Sequence, residues 1–185
     1  MMPEISLNIL DVAENSTRAG ATLVTITVDA DFDADQLTVT IEDNGCGMTP
    51  EQVERVTDPF FTSRTTRKVG LGVPFFKLAA ESTGGSFSIA SKAGEGTCVT
   101  AVFILSHIDR MPLGDITSTI HTLVVYHPDT DFVYQYRFNG RSFTMDTRQF
   151  RQILGDVPFD TPEVSDYIRE YLNENKLDTD GGVSY

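Results

Sequence analysis

Two runs of alternating residues constrain this chain more than any other feature. Residues 22–29 read Thr-Leu-Val-Thr-Ile-Thr-Val-Asp, and residues 37–42 read Leu-Thr-Val-Thr-Ile-Glu. A period of two puts apolar side chains on one face of a strand and polar ones on the other. The acidic stretch 31–35 between them reads as a turn, so 22–42 is a hairpin with one buried face. Before it, residues 4–19 carry Ile5, Ile9, Leu10 and Ala13 at helical spacing, with Val12 flanking them and Gly20 as a helix stop.

The rest of the chain can be sorted by the same signals. A glycine-rich loop, Asp43-Asn44-Gly45-Cys46-Gly47-Met48, follows the hairpin directly. Thr49-Pro50-Glu51 reads as an N-cap with proline in the first turn, opening a short helix to about residue 56. Residues 58–72 hold Phe60, Phe61, a basic cluster and two glycines without periodicity, the mark of a long functional loop. A helix is expected over 73–82, strands over 86–91 and 97–105, and a turn at 94–96. The pattern breaks at 107–114, which divides the chain into residues 1–108, an α+β module at 109–177, and a tail at 178–185 expected to be disordered. In the module, strands are expected at 122–126, 132–138 and 142–145. Asn139-Gly140 is a tight-turn signal between the last two. Phe132, Tyr134, Tyr136 and Phe138 share one strand face, expected to pack under two closing helices. Asp146 caps the first of these, with Phe150, Ile153 and Leu154. Thr161-Pro162-Glu163 opens the second, with Val164, Ile168, Tyr171 and Leu172 on its apolar face.

Charge narrows the function classes. Lys and Arg number 14 against 27 Asp and Glu, a net charge of −13 in 185 residues. Such a chain is poorly suited to a nucleic-acid backbone or an anionic membrane surface. It can still hold a nucleotide, because local cations and backbone N–H groups handle phosphates. Two cysteines, Cys46 and Cys98, make neither a disulfide framework nor a metal site. Cys46 reads as a small apolar filler. The N-terminus lacks the pattern of a signal peptide, and no apolar run is long enough to span a membrane, so a cytoplasmic location is expected.

Four pieces carry candidate chemistry. Asp11 and Asn15 are four apart on the first helix and share a face, where an acid and an amide can hold a water and a magnesium ion. Asp43 can accept a hydrogen bond from an exocyclic amine, Gly45 and Gly47 permit close backbone approach, and Met48 offers a soft surface to a flat ring. Arg64, Arg67 and Lys68 concentrate positive charge just before Gly70 and Gly72, where a helix begins, an arrangement suited to phosphate. Gly94-Glu95-Gly96 leads into Thr97, whose hydroxyl can bond a base or a water beside Asp43. Each piece alone also fits an ordinary turn or solvated face.

Taken in order, these segments resemble the GHKL ATPase superfamily of gyrase B, heat-shock chaperone, sensor histidine kinase and MutL proteins. Residues 9–16 look like its N box and 41–48 like its G1 box. Residues 58–64 with 70–73 look like its F and G2 boxes, and 94–97 like its G3 box. The resemblance covers about residues 4–105. It implies a two-layer α/β sandwich of Bergerat type, with a mixed, mainly antiparallel sheet covered by helices. It implies Mg²⁺ on Asn15, an adenine amine on Asp43, a base pocket of Gly47, Met48 and Thr97, and Gly45 among the nucleotide-binding positions. A lid over 60–72 would bring Phe61, Arg64, Arg67, Lys68, Gly70 and Gly72 to ATP. The catalytic position falls on Asp11, where hydrolytic members have glutamate, one methylene longer. Glu14 is a second acid nearby, offset from the family position. Val73 replaces the usual leucine.

Three functions follow from the resemblance: a slow ATPase or nucleotide-dependent switch for an unidentified protein partner, a kinase acting on a separate partner, or a module that binds ATP without turnover. None of the three histidines, His107, His121 and His127, sits as a phosphoacceptor on a helical hairpin ahead of the ATP domain. Many relatives dimerise on ATP, which makes a homodimer a candidate assembly.

Overall fold

The alternating runs form the expected hairpin, and the computed structural model, which describes residues 2–58 and 71–185, builds a six-stranded sheet around it. β1 (Leu23–Asp31) and β2 (Gln36–Asp43) pair antiparallel, with Ile26 opposite Ile41 and Val28 opposite Val39. β3 (Ser86–Lys92) and β4 (Gly96–Ile104) form a second antiparallel pair, and β4 lies antiparallel to β2. On the other side of β1, β5 (Asp131–Phe138) runs parallel to it, and β6 (Arg141–Asp146) closes antiparallel on β5. The order across the sheet is β3-β4-β2-β1-β5-β6.

The register aligns every apolar set on one face. Val24, Ile26, Val28 and Ala30 lie level with Phe132, Tyr134, Tyr136 and Phe138 on one side, and with Ile41, Val39 and Leu37 on the other; all are buried. The helices lie on this face. α1 (Ile5–Arg18) packs on β1 and β2, the short α2 (Pro50–Val56) meets β3, and α3 (Gly72–Glu81) packs on β3 and β4. α4 (Ile116–Tyr126), α5 (Thr147–Leu154) and α6 (Pro162–Asp180) cover β5 and β6. The opposite face stays partly open and is polar: Ser88, Thr100, Thr40, Thr27, Gln135 and Thr144 form one row across all six strands. Helices on one face and water on the other make the expected two-layer α/β sandwich.

α1 buries Ile5, Ile9, Val12, Ala13 and Ser16, the stripe that a 3.6-residue period dictates. Its first turn has no side-chain cap. Instead, the Ile5 and Ser6 N–H groups donate to the Pro112 and Leu113 carbonyls at 3.0 and 2.9 Å. The segment expected to separate two domains therefore caps the first helix, and the sheet continues through β5 without a break. At α2 the expected Thr49 cap is a full capping box with Gln52.

Two expectations are corrected. Residues 122–126, expected as a strand, lie in α4. The Asp115 carboxylate accepts from the Ser118 N–H at 2.9 Å and starts the helix. α4 is wedged between α1 and α6, so it buries residues all round and carries the unbroken apolar run of a buried strand. The tail at 178–185, expected to be disordered, is ordered. α6 runs to Asp180, whose carboxylate accepts from Tyr136 Oη at 2.7 Å and Lys176 Nζ at 2.5 Å. Tyr185 packs its ring on Phe32 and Phe138, and its carbonyl accepts from the Leu113 N–H at 2.6 Å. One terminal aromatic residue gives this polar segment something to bury.

Candidate functional site

The site lies between α1 and the ends of β2, β3 and β4. α1 turns Val12, Asn15 and Ser16 toward it, a consequence of their three- and four-residue spacing. Ser16 is buried and donates from Oγ to Asp43 Oδ2 at 2.6 Å. The other carboxylate oxygen, Oδ1, accepts from the Gly45 N–H at 2.9 Å. Asp43 is thus fixed by helix and loop together, while its remaining lone pairs face the cavity. Asn44, next to it, is fully occupied elsewhere: its side chain bonds the Thr22 and Leu23 N–H groups and the Thr22 hydroxyl. It clamps the loop to the start of β1.

Backbone approach explains two of the glycines. Gly47 has a φ of 64°, and a Cβ there would stand 1.9 Å from the Lys92 carbonyl oxygen. Gly96 has a φ of 129°, and a Cβ there would stand 1.9 Å from the Asp43 carbonyl oxygen. No other residue lets the loop after β2 lie this close to the β3–β4 turn. The Gly94 N–H seals the contact by donating to the Cys46 carbonyl at 2.7 Å.

Ser91 holds the floor of the site together. Its Oγ receives the Met48 N–H at 2.8 Å, donates to the Gly96 carbonyl at 2.9 Å, and lies 2.8 Å from Thr97 Oγ1. The resulting cavity is about 230 Å³. Asn15, Asp43, Gly47, Met48 and Thr97 line it, beside an apolar wall that includes Val12, Ile41, Val73, Ile89 and Val99. A slot with apolar sides and a few fixed acceptors suits a flat heteroaromatic ring carrying an amine. Gly45 stands behind Asp43 as its N–H donor.

Asp11 sits at the neighbouring end, where α1 meets α3. A Cβ placed on Gly72 would lie 2.8 Å from Asp11 Cβ, so the glycine permits the two helices to touch. Burial pushes the Asp11 carboxyl above the usual range; Arg18 pulls it back and Glu14 adds to the rise. Glu14 itself turns away from the cavity and meets His127 Nε2 at 2.9 Å through Oε1. Arg18 reaches Asn15 Oδ1 at 3.5 Å and lines the cavity mouth. Asn15 offers an amide oxygen suited to Mg²⁺. Among the described residues no three His, Cys, Asp or Glu side chains are grouped to hold a metal alone. A single amide oxygen is the kind of ligand an ion takes when phosphate and water hold most of it.

Phe61, Arg64, Arg67, Lys68 and Gly70 lie outside the described residues. Sequence reasoning missed Ser16, Ser91 and Arg18. Ser16 follows Asn15 on the same helix and was legible as a polar residue on the buried stripe. Ser91 is one serine in an alternating strand, and only the three-dimensional contacts distinguish it. Cys46, expected as a filler, is exposed at the cavity wall.

The family model described as "Histidine kinase-, DNA gyrase B-, and HSP90-like ATPase" matches residues 2–108. The sensor protein kinase FleS of Pseudomonas aeruginosa is 36% identical over 108 residues, 58% of this chain and 26% of that protein. The sensor protein SrrB of Staphylococcus aureus is 35% identical over 101 residues, 52% of this chain and 17% of that protein. The chain thus spans about a quarter or less of these relatives. A crystal structure of the N-terminal domain of a DNA repair protein superposes with a TM-score of 0.55 at 13% identity, covering 78% of this chain and 53% of that one. That likeness extends to the fold alone.

Proposed function

This chain belongs to the histidine kinase-, DNA gyrase B- and HSP90-like ATPase family, and we propose that it binds Mg·ATP and acts as a slow ATPase or nucleotide-dependent switch for a protein partner. The observation that carries this reading is Asp43, held by Ser16 and Gly45 with acceptor capacity turned into an apolar slot. In this reading the adenine amine donates to Asp43, Met48 and the apolar wall cover the ring, and Asn15 holds Mg²⁺. Asp11 takes the proton from the attacking water. Its raised pKa makes it a better base than an ordinary aspartate, which offsets part of its short reach. Phe61, Arg64, Arg67, Lys68, Gly70 and Gly72 would form the lid and the phosphate end.

Relatives named as sensor kinases favour a second reading, transfer of the γ-phosphoryl group to a separate protein. His121 and His127 are engaged with Ser165 and Glu14 respectively, and His107 Nδ1 accepts from the Asp109 N–H, so an acceptor on a partner suits this chain better. Incubation with γ-labelled ATP separates the readings. Free labelled phosphate supports the ATPase, label on an added protein supports the kinase, and intact bound ATP leaves a binding module. Failure to bind ATP at all would overturn all three.

A further inference from the structure

Ser91 does not itself line the cavity, yet its hydrogen bonds to Met48 and Thr97 determine what the wall can do. A serine hydroxyl has one proton to give and two lone pairs to fill. Three partners lie within 2.9 Å of Ser91 Oγ: the Met48 N–H, which can only donate, the Gly96 carbonyl, which can only accept, and Thr97 Oγ1, which can do either. A single assignment satisfies all three. Met48 donates to Ser91, Ser91 donates to Gly96, and Thr97 must donate to Ser91. The Thr97 proton is then spent behind the wall. Its oxygen faces the cavity with lone pairs alone.

We propose that Ser91 is a positioning residue that fixes Thr97 as an acceptor, and thereby makes the polar end of the slot selective for a ring bearing an amine. Asp43 already accepts on both oxygens and has lone pairs left for the ligand. With Thr97 locked the same way, the Asp43 and Thr97 side chains both meet the ligand as acceptors only. A 6-aminopurine can supply hydrogens to that end. A purine without the amine cannot. Without Ser91, the Thr97 hydroxyl is free to turn and donate to a ring nitrogen, so the missing amine matters less. This rests on the reading of the cavity as the adenine site.

The test compares dissociation constants for ATP and purine riboside 5′-triphosphate, which lacks only the 6-amino group, in the full chain. Wild type is expected to prefer ATP. In Ser91→Ala the preference falls by about fivefold, the worth of one neutral hydrogen bond, and Ser91→Thr restores it. A merely structural Ser91 would weaken both nucleotides equally by freeing Met48, leave the ratio intact, and overturn the proposal. Thr97→Val, which leaves the Met48 and Gly96 bonds to Ser91 in place, provides an independent check should Ser91→Ala not fold. It too must lower the ratio, and an unchanged ratio overturns the proposal. A wild type that binds ATP with no preference overturns it as well while leaving the ATP site standing. A wild type that binds neither nucleotide removes the adenine reading and the proposal together.

Discussion

Glu14 Oε1 meets His127 Nε2 at 2.9 Å, which commits one of the two carboxylates of α1 to the turn after α4. The other, Asp11, lies against Gly72 at the start of α3. The two acids are three residues apart, but their partners differ, so their mutants should differ too. Asp11→Asn is expected to lower phosphate release by roughly 10²-fold or more, the usual worth of a general base. Glu14→Gln should leave it within about fivefold, because a partly exposed pair contributes about 1 kcal/mol or less. Single-turnover release of γ-phosphate measures both. Equal losses would mean that Asp11 is not the base.

The Ser16–Asp43 bond makes a second prediction. A hydroxyl donating to a carboxylate contributes about 1.5–3 kcal/mol, and here it also fixes the direction of the carboxylate. Ser16→Ala should therefore weaken ATP binding by roughly tenfold or more by titration calorimetry. Asp43→Ala should abolish it. If Ser16→Ala bound ATP like the wild type, Asp43 would not depend on the helix for its orientation.

His121 couples stability to acid. It bridges α4 to α6 through Ser165, with Nε2 2.9 Å from Ser165 Oγ and 3.0 Å from the Ser165 carbonyl. Burial lowers its pKa below the ordinary 6.5, and Arg169 lowers it further, while the Ser165 carbonyl and Asp166 oppose them. The folded chain therefore binds fewer protons at this site than the unfolded chain as pH drops through 6.5. Stability from the neutral ring is complete above that value and is lost as pH falls toward the folded pKa. Urea midpoints at neutral and mildly acid pH should show the wild type losing more stability than His121→Gln. Parallel losses in the two proteins would assign the acid sensitivity elsewhere.

The hairpin and the glycine loop were legible because each rests on a local rule. A period of two defined β1 and β2, and Asp43, Gly47 and Met48 fell in one unbroken segment. Asn139 and Gly140 both adopt positive φ, as a two-residue turn demands. What the sequence hid was non-local. α4 reads as a strand because burial on two sides erases the amphipathic stripe. The parallel pairing of β5 with β1, which joins the C-terminal elements to the nucleotide sheet, leaves no mark in either strand. Tyr185 gave no warning either, since a lone aromatic at the end of a polar stretch gains meaning only from Phe32 and Phe138.

Cys46 offers a probe of occupancy that needs no assumption about turnover. Its side chain is exposed on the cavity wall, while Cys98 is half-buried on β4. Burial raises the Cys98 pKa, and Glu42 and Asp43 raise it further against a lowering contact from Thr100, so its reactive thiolate is scarce at neutral pH. An alkylating reagent should therefore label Cys46 first, as read by peptide mass. A nucleotide in the slot would lie between the reagent and the thiol. ATP at ten times its dissociation constant leaves about one site in eleven empty and should slow labelling about elevenfold. Cys46→Ser should lose the fast label and keep ATP binding. Labelling of Cys46 that ignores saturating ATP would mean that the ligand sits away from the loop between β2 and α2, and the adenine end of the site would have to be placed elsewhere.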